Sequence, residues 1–424
     1  MNHQPGIPSP ASTSPASTAV RLLSLDTYRG LIMISLAFAG FGLAETAARH
    51  LKADPDSSFW LGVKHQFSHA DWVGCTYWDL IQPSFMFMVG VSMAYSYAKR
   101  RQLGDSYGRM LGHAVLRSCV LILLGIFLIS NGDASTSWSL MNVLTQIGLG
   151  YTLLFLLWGR PTRTQALAAA AILGATWLAY EINAGAGISL VSGADEAGVT
   201  AAWAQENLAG VGRAWHKNAN LGHRIDLWLL NLLPREEPFR FSQGGYQTIN
   251  FIPSLATMLF GLMCGELLRS GVSARRKVLL LAVAGLGGIA TGQLLDLTSL
   301  CPLVKRIWTP SWTLFSTGCC CLILAALFGM IDVLHFRRWT FPLVVAGMNS
   351  IALYSMSMLL KPWTAQTLKT HLGDDIFRLR VQLGGQAHYL TDPAFEPTVK
   401  AILVGLMFWL ACYWMYRQKI FIRI

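Results

Sequence analysis

Leu80-Ile81-Gln82-Pro83-Ser84-Phe85-Met86-Phe87-Met88-Val89-Gly90-Val91-Ser92-Met93-Ala94-Tyr95-Ser96-Tyr97 is a run without a charge, closed by Lys99-Arg100-Arg101. Its reading decides the fold. A helix rises 1.5 Å per residue, so such a run crosses most of a hydrocarbon core about 30 Å thick. Similar runs recur near 30–48, 110–130, 139–158, 164–181, 250–269, 277–296, 312–333, 341–360 and 398–416. With 78–97 they predict an all-α, polytopic membrane bundle of about ten spans. The run near 110 carries His113 and Arg117, polar groups expected to line an interior path rather than face lipid.

Composition agrees. The 424 residues are 53% hydrophobic and 13% charged, against about 25% charged in soluble proteins. The net charge of +11 does not point to nucleic acid, because the basic residues form no arm or aromatic-interleaved stripe. They cluster instead at the ends of apolar runs. Arg21 precedes the first; Lys99 to Arg101, then Arg160 and Arg163, then Arg269 and Arg275 to Lys277, then Arg337 and Arg338, and finally Arg417, Lys419 and Arg423 follow every second one. By the positive-inside rule these connections and both termini face the cytoplasm. The connections 49–77, 131–138, 182–249, 297–311 and 361–397 then face outward, which makes His69 extracytoplasmic.

Residues 1–20, rich in Pro, Ser, Thr and Ala, read as a disordered cytoplasmic tail. Residues 21–424 read as one integral membrane domain with a long outer loop at 182–249. The run Leu31 to Ala44 is expected to stay as a signal anchor rather than be cleaved. The outer loop holds an amphipathic stretch, Arg224 to Leu233, and Trp203, Trp215, Trp228 and Tyr246. These aromatics suit a headgroup-level belt or sugar stacking. Of the 8 cysteines, Cys75 and Cys301 share the outer side, where a disulfide would need bridging geometry; Cys319, Cys320 and Cys321 sit in an apolar run as small hydrophobes.

Several polar residues lie where an ionisable group is expensive. His69 precedes the membrane entry point, and histidine titrates near neutral pH and can serve as a base. Asp71 and Asp79 are carboxylates close enough in sequence to orient its ring. His65 stands four residues before His69, but Gln66 replaces the glutamate of a His-Glu-x-x-His metal helix and no third ligand follows, so no metal is expected. Lys305 and Arg306 are basic on an outer loop beside Trp308, Thr309 and Ser311. A cation there fits a substrate anion or a developing oxyanion; the plainer alternative is an interfacial snorkelling pair with Trp308 as anchor. Asp26 and Arg29 flank the first span as an ion pair or an anchor for an anionic cofactor. Asn142 and Gln146, four apart on one face, line a polar path or bond neighbouring helices. Asn349, within Gly347-Met348-Asn349-Ser350, has the same two readings.

Four ordered segments together resemble the heparan-α-glucosaminide N-acetyltransferase family of membrane acyltransferases, in its shorter bacterial form. They are Ser24 to Gly30, His69 to Gly90, Pro302 to Ser311, and Gly347 to Ser350; the tail Tyr416 to Phe421 is also similar. The resemblance implies acetyl transfer from cytoplasmic acetyl-CoA to an extracytoplasmic amino sugar or envelope glycan, in a bacterial inner membrane. It implies that His69, in the His-Ala-x-Trp-x-Gly motif, is the essential histidine. From the residues themselves, Asp71, Asp79 and Lys305 join it as candidate catalytic residues, with Trp308, Thr309 and Asn349 on the acceptor. On the same reading of the residues, Asp26, Arg29, Arg100, Arg101, Asn142 and Gln146 are candidates for holding the acetyl-CoA, with direct transfer and a ping-pong route through His69 both open. The chain departs from the family in lacking the lumenal domain, in having Gly40 where the family has an asparagine, and in a longer loop at 49–64. A homodimer is compatible with the sequence. The competing reading is a multi-span solute transporter without acyl chemistry, which the polar residues in the fourth and ninth runs would serve equally well.

Overall fold

The computed structural model describes residues 22–184, 197–383 and 386–422. The expected tail 1–20, Arg21, Arg423 and positions 185–196 of the long loop lie outside the described residues. The chain forms helices α1 (Leu23–Ala37), α2 (Leu43–Ala53), α3 (Ser58–Phe67), α4 (Ile81–Gln102), α5 (Tyr107–Ile129), α6 (Val143–Leu157), α7 (Thr162–Ile182) and α8 (Ala201–Asn207). It continues with α9 (Leu221–Leu229), α10 (Phe251–Arg269), α11 (Ala274–Leu297), α12 (Pro310–Leu327), α13 (Phe341–Met348), α14 (Ser350–Leu359), α15 (Lys361–Leu372) and α16 (Glu396–Arg417). A short antiparallel hairpin, β1 (Arg380–Leu383) with β2 (Gln386–Tyr389), interrupts an otherwise all-helical fold.

Each expected apolar run is helical over most of its length, but the count of about ten spans is approximate. Among the described residues, 6 helices are long and apolar enough to cross a membrane, and up to 8 when each bent pair counts as one span. The other two runs fall short for physical reasons. Helix α6 has 15 residues, below the roughly 20 a bilayer needs. Helix α4 carries Gln82, Ser84, Ser92, Ser96 and a basic end.

The first run, expected to be continuous, bends by 47° at Ala39–Gly42. Ala39, Gly40, Phe41 and Gly42 all adopt positive φ, between 48° and 66°. Left-handed backbone costs an L-residue about 1–2 kcal/mol, and two glycines in four positions lower that cost. The ninth run breaks by 68° between Met348 and Ser350.

Helices pack closely because small residues let backbones meet; apolar burial supplies little drive between helices inside lipid. Gly90 of α4 faces the backbone of Met258, and Gly261 of α10 faces that of Phe87, so a methyl at either place would collide with main chain. Gly30 and Gly347 join α1 to α13 in the same way. We expect Gly261→Val to destabilise the protein by about 1–3 kcal/mol through overpacking. The measurement is the melting temperature in detergent, and an unchanged value would contradict this packing.

Two ends of the bundle follow. At the basic end, the carboxylate of Asp332 accepts from the N–H groups of Leu23 and Ser24, and Arg269 donates to the Ala94 carbonyl. At the other end the long loop folds inward. Trp72 donates to the Trp215 carbonyl at 3.0 Å, Trp215 stacks on Tyr180, and the Tyr180 hydroxyl donates to Gln247 at 2.6 Å. Asp226 accepts from the Thr248 N–H, and burial pushes its carboxyl up to about 6. Trp215 is thus core rather than belt, whereas Trp228 is 66% exposed. A cavity of about 530 Å³ between α7, α9 and α10 is lined by apolar side chains such as Ile172, Ile225 and Ile252 and includes no residue expected to do chemistry.

Candidate active site

His69 and Asp79 bracket an irregular stretch between α3 and α4. A carboxylate ten residues from the histidine can reach it only if that stretch folds back, and the backbone shows how it does. Asp79 Oδ2 accepts from the Ala70 N–H at 3.0 Å, the Thr76 N–H at 3.3 Å and the Thr76 hydroxyl at 3.0 Å. Asp79 thereby organises its own approach and leaves Oδ1 for two partners. His69 Nδ1 lies 2.7 Å from Oδ1 and Lys305 Nζ lies 3.2 Å from it. The carboxylate is 1% exposed and the ammonium 6%, while the imidazole keeps 37% of its side chain open.

Lys305 Nζ is also 3.1 Å from His69 Nδ1. The two contacts of that nitrogen cannot both be hydrogen bonds. An unprotonated Nδ1 would set its lone pair against a carboxylate oxygen at 2.7 Å, which is repulsive. Nδ1–H donating to Asp79 is attractive and charge-assisted. The ammonium is then satisfied by the carboxylate, and Nε2 keeps the imidazole's free lone pair. Burial alone would raise the Asp79 carboxyl, but the bond from His69, the Lys305 charge and the Ala70 N–H outweigh it and hold the group well below the usual carboxylate range. Asp79 therefore stays ionised.

Lys305 is positioned by its turn. The Thr309 hydroxyl accepts from the N–H of Val304 and of Trp312, capping α12, and bonds the Pro302 carbonyl at 2.7 Å. Trp308 is 1% exposed and its indole N–H donates to Thr257. Arg306 clips the loop to the carbonyls of Gly244 and Ala70, and Gly74 N–H donates to the Leu303 carbonyl. Lys305 is a buried partner rather than a snorkelling surface cation, and Trp308 and Thr309 belong to the turn that carries it.

The remaining expected residues lie elsewhere. Asp71 is exposed and makes none of the bonds of this cluster. Asn142 caps α6 through the N–H groups of Leu144 and Thr145, and Gln146 donates to the carbonyls of Leu140, Gln247 and Thr248. Both belong to the His69 end of the bundle. Asp26 pairs with Arg29 and Arg100 with Asp105, at the basic end. Arg101 lines a cavity of about 400 Å³ there with Gln102, Trp158, Glu266 and Arg269. Asn349, fully buried at the break between α13 and α14, donates to the Ile420 carbonyl and accepts from the Ile422 N–H, so it holds the chain beyond α16. His65 lies on the exposed end of α3. Cys75 and Cys301 are free thiols.

Sequence reasoning missed Thr76, and it named Arg306 and Tyr246 without placing either against this cluster. Tyr246 sits with its ring 6.0 Å from the Lys305 ammonium and 5.6 Å from the Arg306 guanidinium. The Thr76–Asp79 spacing of three was a visible capping signal; nothing in the sequence links Tyr246 to Lys305.

No protein-family model matches the chain. It is 25% identical over 379 residues to the heparan-alpha-glucosaminide N-acetyltransferase of Homo sapiens, a match covering 81% of this chain and 54% of the human protein. It is 30% identical over 140 residues to the Mus musculus protein of the same name, covering 32% of this chain and 19% of that protein. The chain thus spans about half the length of the human relative. A multi-pass helical architecture and an ordered match across four-fifths of the sequence make this chain a distant relative of the heparan-alpha-glucosaminide N-acetyltransferases.

Proposed function

We propose that the protein is a membrane acetyltransferase that passes an acetyl group from cytoplasmic acetyl-CoA to an extracytoplasmic amino sugar or glycan. The setting is a bacterial inner membrane, with both termini cytoplasmic. The observation that carries this reading is the half-open imidazole of His69, held by ionised Asp79 with Nε2 free, in a distant relative of N-acetyltransferases.

In this reading His69 Nε2 removes a proton from the acceptor nitrogen as that nitrogen attacks the thioester carbonyl carbon. The new N–C bond forms, the C–S bond breaks, and the imidazolium returns the proton to the departing sulfur. Asp79 fixes the ring and its tautomer. Lys305 neutralises the charge of Asp79 in a site otherwise too apolar to hold a lone carboxylate.

A route for the donor's long arm is supported by α4. Gln82, Phe85, Val89, Ser92, Ser96 and Lys99 recur every three or four residues and are all incompletely buried, so one face of α4 stays loosely covered from the His69 end to the basic end. Its opposite face is closed against α10 at Gly90 and Gly261. Arg29, Arg100 and Arg101, at the basic end of this route, would take the donor's phosphates.

Purified protein in detergent, given radiolabelled acetyl-CoA and glucosamine, should yield N-acetylglucosamine. Donor binding without transfer to any of a panel of amino sugars and glycans would contradict the proposal.

A further inference from the structure

Trp308, Thr309 and Asn349 are buried and committed to internal bonds, which leaves the acceptor without a binding surface among them. A different group of side chains, joined to His69 through Trp78, offers one. The Trp78 ring lies 6.4 Å from the imidazole, and the rings of Phe67 and Tyr77 lie 5.4 Å apart. Tyr77 is 39% exposed, and Phe67 and Trp78 are half-buried. Tyr77 is fixed rather than loose. The Tyr77 hydroxyl bonds Ser35 of α1 at 2.7 Å, and the Tyr77 N–H donates to the Gln66 side chain at 3.0 Å. The Tyr77 hydroxyl therefore turns into the protein, whereas a belt residue turns its polar tip toward headgroups.

The left-handed break of the first span completes this wall. Gly40 sits beneath it: a Cβ at position 40 would lie 3.1 Å from Trp78 Cζ3 and 3.2 Å from Phe67 Cδ1. Any side chain there would press the two rings apart or fill the space between them.

Resting on the acetyl-transfer reading, we propose that Phe67, Tyr77 and Trp78 form the wall on which the pyranose ring of the acceptor stacks, and that the glycine at position 40 sets the depth of this subsite. A pyranose has an apolar C–H face that buries against an aromatic ring while its hydroxyls stay in water. Stacking it beside His69 also supplies the positioning that a general base requires. The acceptor class that fits is a hexosamine with one unencumbered ring face.

Ligand-observed NMR titration of glucosamine into the purified protein tests the subsite without catalysis. Trp78→Ala should weaken binding at least tenfold, and Trp78→Phe, which keeps a ring, should recover most of it. Gly40→His, which fills the space between the Trp78 and Phe67 rings, should also weaken it at least tenfold; histidine tolerates left-handed backbone, so the break itself survives. Phe59→Ala removes an exposed ring on α3 (66% exposed) and should bind as the wild type does. In turnover, the ratio of kcat/KM for glucosamine to that for ethanolamine, an amine without a ring, should fall at least tenfold in Trp78→Ala. Unchanged glucosamine binding in Trp78→Ala and Gly40→His, or no glucosamine binding by the wild type, overturns the subsite. Glucosamine binding that follows this pattern in a protein that never transfers acetyl supports the subsite and overturns the acetyl-transfer reading instead.

Discussion

His69→Ala lowers kcat for acetyl transfer by about 10²–10⁴-fold and leaves the fold intact. Both parts come from the geometry. The imidazole carries the lone pair available to the reaction, so its loss removes the base. Its loss does not strand Asp79, which keeps the Lys305 ammonium, the Ala70 and Thr76 N–H groups and the Thr76 hydroxyl. Steady-state turnover beside a melting curve checks the pair of expectations. A His69→Ala protein that turns over within threefold of wild type would remove the histidine from the mechanism. One that fails to fold would mean that the imidazole carries structural weight this arrangement does not assign to it.

The second large effect falls on Asp79. Asp79→Ala leaves the Lys305 ammonium, 6% exposed, without its carboxylate. Removing one member of a buried pair costs about 3–5 kcal/mol, because the other charge stays desolvated. The double variant Asp79→Leu with Lys305→Met should recover much of that stability while remaining inactive, since His69 then has nothing to hold its tautomer. Acid provides an independent test. A free aspartate titrates near 3.9, and the folded protein holds Asp79 well below that. The unfolded chain thus takes up the proton first as the pH falls. The stabilisation by Asp79 is complete above about pH 5 and drains away as the pH passes below roughly 4 toward the lowered folded value. Between pH 5 and 3 the wild type should lose more melting temperature than Asp79→Asn does; equal losses would place the acid sensitivity in other groups.

The helical frame was legible because apolar runs near 20 residues have few alternatives, and the basic clusters that close them mark one end of the bundle. The breaks were harder to read. Residues 30–48 look like one apolar run, and only the spacing of Gly40 and Gly42 hints that the chain turns left-handed there. Gly347 to Ser350 hinted at the second break, but that Asn349 would hold Ile420 and Ile422 depends on where the chain beyond α16 returns. The site was legible in part. His69 stood out by its place before a span. Choosing Asp79 over the nearer Asp71 required the fold-back through Ala70 and Thr76. Lys305 is 236 residues from His69, and no spacing rule connects them. Trp308 and Thr309 looked like contact residues because polar and aromatic side chains on a loop usually are; here the turn carrying Lys305 buries both.

The account requires that a donor entering at the basic end meets an imidazole at the other. Purified protein reconstituted into sealed liposomes, with radiolabelled acetyl-CoA enclosed and glucosamine supplied only outside, measures this directly. Labelled N-acetylglucosamine should accumulate outside while the vesicles remain impermeable to CoA, and in His69→Ala vesicles it should do so about 10²–10⁴-fold more slowly. Product that forms only when donor and acceptor share one compartment would contradict the account.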